Sequence, residues 1–195
     1  MIDAKIVAEL REKTGAGMMD AKKALELTDG NLDKAIEELR KKGVIKAAKK
    51  ADRETKEGRV HAYIHSNGKV GVLVEVQCET DFVSRNQSFI NFCNDLGMHI
   101  AAMAPDYLSP EDVPAELLEK EKDLYREEMI HQGKPAEVLE KIIEGKIQKY
   151  LAEICFLKQI FIKDETKTIE DIVNEIIVSL GENIQVKHFV RFQIG

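Results

Sequence analysis

"VHAYIHSNGKVGVLVEVQ", residues 60–77, decides how this chain folds. Two runs rich in β-branched and aromatic residues flank Asn67-Gly68, the strongest short-range signal for a β-hairpin. A two-residue turn there sets Ala62 opposite Leu73 and Tyr63 opposite Val72. Apolar side chains then occupy both faces of the ribbon, so the pattern does not single out the buried face. A lone hairpin is marginal in water and must be completed from elsewhere. "NIQVKHFVRFQIG", residues 183–195, supplies a third strand. In it Ile184, Val186, Val190, Phe192 and Ile194 alternate with Gln185, Lys187, Arg191 and Gln193, an amphipathic strand returning from a distant part of the chain.

Between these strands the apolar period changes to that of helices. Phe89, Phe92, Cys93, Leu96, Ile100 and Met103 form one helical stripe, which Ala104-Pro105 ends. A helix follows "SPEDVP" and stops at Gly133, and another starts with Pro135 at its first position. The second has a stripe through Leu139, Ile143, Tyr150, Leu151 and Ile154, with Gly145 as a mild weakness. Thr168 and Asp171 have the spacing of a capping box, and Gly181 closes the helix they open.

Upstream of the hairpin, the first 43 residues read as a three-helix bundle. Ile2, Ile6, Val7 and Leu10 form the first stripe, interrupted by "TGAG". Ala21, Ala24 and Leu25 form the second, ending near Asp29-Gly30. Asn31 is a natural N-cap for the third, with Leu32, Ala35, Ile36 and Leu39 on its buried side and Gly43 as its terminator. The expected organisation is an α+β protein: a three-helix module over 1–43, a basic, partly helical linker over 44–58, and over 59–195 a core in which a small antiparallel sheet packs against helices.

Composition narrows the function classes. The 195 residues, 44% hydrophobic and 33% charged with no Trp, suffice for a core without disulfides or metals. Net charge of −6 argues against a protein devoted to nucleic acid, which is held by clustered positive charge. The basic run at 40–59 carries nine Lys or Arg against three acids but no aromatic to stack on bases. It reads as a solvated linker, with a nucleic-acid patch as the rival. Three scattered cysteines form no CxxC pair and suggest neither zinc nor disulfides. The N-terminus lacks the apolar stretch of a signal peptide, and no apolar run reaches the roughly 20 residues of a membrane span. A cytoplasmic protein without a membrane role is expected.

No catalytic constellation is legible, and no cofactor or metal is expected. "TGAGMMDAKKAL" lacks the spacing of a phosphate loop. His61 and His65 share one strand face without a third ligand and read as surface histidines. His99 reads as a packed, hydrogen-bonded residue, Cys93 and Cys155 as core filler, and His131 and His188 show no partner. One loop stands out. In "CETDFVSRN", residues 78–86, Phe82 follows Asp81 between a strand and a helix. Thr80 or Asp81 could cap the following helix with Phe82 as a staple beneath it. Alternatively, Phe82 projects as an anchor for a partner's pocket.

Two motifs carry a resemblance. "LREKTGAGMMDAKKAL", residues 10–25, and "EVQCETDFVSR", residues 75–85, resemble the signatures of elongation factor Ts, the bacterial guanine nucleotide exchange factor for elongation factor Tu. "HIAAMAP", "GKPAEVLEKIIEGKIQKY" and "GENIQVKHFVRFQIG" are similar to the same family, so the resemblance spans essentially the whole chain; Gln77 departs from the usual Asn. The resemblance implies that Thr80, Asp81, Phe82 and Val83 bind the partner, with Phe82 wedging between helices of its G domain and disturbing the Mg²⁺ and phosphate site. It also implies that Arg11, Met18 and Met19 of the N-terminal module contact that domain. One of the two Met is expected to pack within the bundle. The module's pattern is similar to ubiquitin-associated-like three-helix domains. The chain has the length of the family's short form, in which two copies associate through the core and bind two partners, whether GDP-bound or nucleotide-free. Neither nucleic acid nor membrane enters that picture.

Overall fold

The structure is a computed structural model that describes residues 2–132 and 135–195, without the side chains of residues 136 and 137. Three helices, α1 (Ala4–Thr14), α2 (Met18–Leu27) and α3 (Leu32–Ala48), enclose Val7, Leu10, Ala21, Ala24, Leu25 and Ala35. Their ends follow from sequence chemistry. Asp3 accepts from the Lys5 amide, and Asn31 accepts from the Lys34 amide, each meeting a donor that the first turn leaves unpaired. Gly15, at φ 65°, closes α1.

Gly43 does not end α3, contrary to expectation; the helix runs on to Ala48. Beyond Gly43 the helical period still finds partners. Ala47 is buried in the main core, and Lys42 and Lys46 both reach back to Asp20 on α2. Those two lysines hold the Asp20 carboxyl down at about 2. A glycine ends a helix when it turns left-handed, and Gly43 stays helical, packed toward Val178.

The main sheet joins β1 (Glu57–Ile64), β2 (Val70–Cys78) and β5 (Ile184–Gln193), all antiparallel in the order β1-β2-β5. Ala62 faces Leu73 and Tyr63 faces Val72, as the hairpin reading requires. The turn itself is longer than two residues. The His65 amide donates to Val70 O and the Gly68 amide to His65 O. Of the two turn residues only Gly68 has positive φ, whereas a type I′ turn needs it at both. The longer loop preserves the register.

The third strand departs from simple alternation. Glu75 pairs with His188, but Val76 pairs with Val186, so Lys187 is an extra residue in a bulge. Ile184 and Val186 therefore face the core, while Val190 and Phe192 beyond the bulge are exposed on the opposite face.

A single helical turn, α4 (Asp81–Ser84), leads to α5 (Gln87–Met103), which lies on the inner face of the sheet. Phe89, Phe92, Cys93, Leu96 and Ile100 are buried there; Met103, expected on the same stripe, is exposed. Helices α6 (Ala115–His131) and α7 (Ala136–Ile154) form a satellite layer around Val113, Ile143, Ile147, Leu151 and Cys155. The expected stop at Gly133 lies outside the described residues, and Pro135 occupies the N-cap of α7 instead of its first turn. A small hairpin, β3 (Ile160–Phe161) with β4 (Asp164–Thr168), precedes α8 (Ile169–Leu180). The capping box of Thr168 and Asp171 and the left-handed Gly181 bound α8 as anticipated.

Candidate functional site

β2 carries the chain to Cys78, and the backbone then turns sharply at Thr80. The Thr80 hydroxyl accepts from the Val83 amide at 3.4 Å and caps α4. Ser84 is buried, its hydroxyl donating to Asp81 O at 2.9 Å, and Val83 packs on the main core. With its neighbours held inward, Phe82 points out and is 84% exposed. Asp81 lies 3.2 Å from Arg85 in an ion pair open to solvent. The two readings of this loop are thereby separated. Thr80 caps only the single turn, α5 has its own cap in Asn86 (2.8 Å from the Ser88 amide), and Phe82 staples neither.

The base of the corner is fastened by Glu79, Glu182 and Asn183, which lie within the quoted motifs but had no role assigned from sequence. Glu182, just after α8, accepts from the amides of Glu79 (3.1 Å) and Thr80 (3.0 Å) and from the Thr80 hydroxyl (2.6 Å). Reciprocally, Glu79 accepts from the Asn183 amide at 2.6 Å. The Asn183 side chain donates to the carbonyls of Ala51 and Arg53. These partners are separated by about a hundred residues or more, and only the topology that places β5 beside β2 unites them.

On the N-terminal module Arg11 is exposed near the end of α1, its Nε donating to Ala16 O at 3.2 Å. Met18 and Met19 open α2 at 54% and 64% exposure. Neither packs inside the bundle, which corrects the expectation that one would; Ala21, Ala24 and Leu25 fill that space. The module thus displays two flexible thioethers beside a cation. These three residues and residues 80–83 lie on separate parts of the chain, the helical bundle and the α4 corner that follows β2.

Residues 4–195 match the family described as Elongation factor TS. The Elongation factor Ts of Thermosipho melanesiensis is 55% identical over 195 residues, covering 100% of both chains. That of Fervidobacterium nodosum is 56% identical over 194 residues, covering 100% of this chain and 98% of its own. That of Geobacter sulfurreducens is 55% identical over 194 residues, covering 100% and 90%. The chain belongs to the elongation factor Ts family. Guanine nucleotide exchange on elongation factor Tu is the function that this membership carries.

The remaining reactive side chains of this elongation factor Ts family member are occupied in structure. Burial pushes the Cys93 thiol up to about 12 and those of Cys78 and Cys155 to about 11, far from the thiolate that a nucleophile needs. His99 is fully buried, with Nε2 3.0 Å from Gln159 Oε1 and Nδ1 accepting from the Ile162 amide. His188, expected to lack a partner, sits 3.0 Å from Glu75, the residue opposite it across the sheet. His61 is a second correction. It lies half-buried under α5 rather than on open surface, with its Nε2 buried and unpaired. Among the described residues no group of three or more His, Cys, Asp or Glu is placed to hold a metal ion, and no helix is long and apolar enough to cross a membrane.

Most cations of the basic run have partners within the fold. Arg40 binds Asp171, Lys41 meets Glu37 and Glu38, and Lys42 and Lys46 share Asp20. Lys50 donates to Gly181 O, Arg53 meets Glu79, and Lys56 meets Glu54.

The outer face of the sheet, by contrast, is apolar and open. The register aligns Ala62, Leu73 and Val190 in one row and Ile64, Gly71 and Phe192 in the next. Ile64 and Phe192 are each 66% exposed.

Proposed function

We propose that the chain promotes GDP release from elongation factor Tu by inserting Phe82, with Asp81 beside it, into the partner's G domain, where the corner disturbs the Mg²⁺ and phosphate site. A nucleotide exchange factor needs no covalent chemistry. It accelerates release by binding the nucleotide-free partner more tightly than the nucleotide-bound one. Each tenfold loss of nucleotide affinity requires about 1.4 kcal/mol of such preference, and by reciprocity the incoming nucleotide expels the factor. The observation that carries the reading is Phe82 itself: a large ring almost fully in water on a corner anchored by Thr80, Val83 and Ser84. An aromatic held in that way enters a pocket without first having to be ordered. Thr80 and Val83 shape the corner, and Arg11, Met18 and Met19 form a second contact on the same domain. Thioethers adapt to an irregular surface, which suits that task.

The working unit in this reading is a dimer that binds two partners. The open apolar sheet face supports it, because a soluble monomer rarely leaves contiguous rows of Ile, Leu, Val and Phe in water. The partner is a protein, not nucleic acid or a membrane, and the setting is the cytoplasm.

Stopped-flow release of fluorescent GDP from elongation factor Tu tests the reading. Catalytic amounts of the chain should accelerate release strongly. Phe82→Ala should lose at least about tenfold of that acceleration while its melting temperature stays within about 2 °C, because an exposed side chain contributes little to stability. A variant that melts several degrees lower yet exchanges normally would refute the wedge.

A further inference from the structure

We infer that Glu182 is a positioning residue for exchange, the group that holds the Thr80 corner in the shape that presents Phe82. This rests on the wedge reading above and adds to it a residue remote in sequence but in contact with the corner.

The geometry forms a relay. The Thr80 hydroxyl has one hydrogen, and at 2.6 Å from Glu182 Oε1 that hydrogen goes to the carboxylate. A lone pair is then left facing the Val83 amide, which it caps at 3.4 Å. The other carboxylate oxygen takes the amides of Glu79 and Thr80. One carboxylate thus fixes two consecutive backbone amides and orients the hydroxyl that starts α4, the turn bearing Phe82. Charge-assisted bonds of this kind are shorter and stronger than neutral ones. The lock is doubled, since Glu79 returns the contact to the Asn183 amide. Asn183 is itself only 2% exposed and tied to residues 51 and 53 of the segment leading from α3. A four-residue helix has little stability of its own, so its conformation depends on such outside support.

A corner that is ordered only part of the time binds with an affinity reduced by the ordered fraction, while the step after binding is unchanged. Glu182→Ala should therefore raise the half-saturating concentration for accelerated GDP release by about tenfold, equivalent to about 1.4 kcal/mol. The maximal rate should stay within about twofold. Amide hydrogen exchange at residues 79–83 should speed up while that of β2 and α5 does not. Glu182→Gln, which retains one acceptor oxygen, and Thr80→Val should shift the same parameter to a smaller extent. They carry the decision if Glu182→Ala does not fold. Phe82→Ala, measured in parallel, should instead lower the maximal rate. If Phe82→Ala releases GDP as fast as the parent, the wedge reading falls and this inference with it. If Phe82→Ala is slow while the Glu182 and Thr80 variants keep the parent's half-saturation and amide protection, the positioning role alone is overturned.

Discussion

Arg40 and Asp171, 131 residues apart, form a two-pronged contact, Nε to Oδ1 at 2.8 Å and Nη2 to Oδ2 at 2.5 Å. It joins α3 of the N-terminal bundle to the first turn of α8. Asp171 is 7% exposed and also accepts from the Thr168 amide (2.9 Å) and hydroxyl (2.8 Å), so one carboxylate both caps α8 and docks the bundle.

Asp171→Ala should therefore destabilise more than Arg40→Ala. Removing the carboxylate takes away cap and dock together, about 2–3 kcal/mol. Removing the half-exposed guanidinium costs about 1 kcal/mol. Burial raises the Asp171 carboxyl, but the Thr168 amide and hydroxyl and the Arg40 guanidinium outweigh it and leave it below the ordinary 3.8. A depressed carboxylate stabilises fully above its unfolded value, and the benefit is lost as pH falls through the folded one. Urea melts between pH 6 and pH 3 should show Asp171→Asn losing less stability on acidification than the parent.

How far the sequence reaches can be judged at particular residues. Asn67-Gly68 and the alternation around it set the β1–β2 register, because a slip by one residue would turn every side chain over. Asn31, the Thr168 and Asp171 box and Gly181 were readable because caps are local chemistry. Lys187 was not. One extra residue reverses inside and outside along the rest of β5, and nothing in "QVKHF" announces it. Gly43 misled because a glycine ends a helix only if the next turn lacks partners, and here Asp20 and the main core supply them. Phe82 could be singled out but not placed, since a staple and an anchor have the same local sequence. Glu182 and Glu79 stand in quoted motifs, but their contact could not be read because the partners are remote in the chain.

Gly97 and Gly145 both lie within helices and should respond oppositely to Ala. A β-carbon at Gly97 would come 2.8 Å from Tyr63 Cβ, because α5 rests closely on β1 there. The clash costs about 1–3 kcal/mol, against about 1 kcal/mol gained in helix propensity. At Gly145 nothing lies within 4 Å of such a carbon. Gly145→Ala should raise stability by about 1 kcal/mol, and Gly97→Ala should lower it, both measured by urea midpoint.

His99 should make the fold acid-sensitive. Burial lowers its affinity for a proton, and the bond to Gln159 opposes this only in part. The folded chain thus takes up that proton at lower pH than the unfolded chain, which does so near about 6.5. Stability should fall as pH drops below that value, with a slope of at most about 1.4 kcal/mol per unit from this residue, until the folded form also protonates. His99→Gln cannot titrate. Its stability, lower at pH 7.5, should decline less steeply between pH 6.5 and 5; parallel curves would assign the acid sensitivity to other groups.

Phe192 offers the sharpest test of association. At 66% exposure it stands in an apolar row with Ile64, flanked by Leu73 and Val190. If a second copy covers this face, the parent should sediment as a dimer at micromolar concentration. Phe192→Asp would bury an unpaired charge in that interface, which costs several kcal/mol. Dissociation should shift by at least about a hundredfold, about 2.7 kcal/mol. The monomer should remain folded, because the core on the other side of the sheet, Val72, Val74, Val76 and Ile184, is untouched. Sedimentation velocity with circular dichroism separates the outcomes. A folded monomer places the interface on the outer sheet face, and an unaltered dimer moves it elsewhere. Exchange by the folded monomer would then show whether one copy of the Phe82 corner suffices or both are needed together.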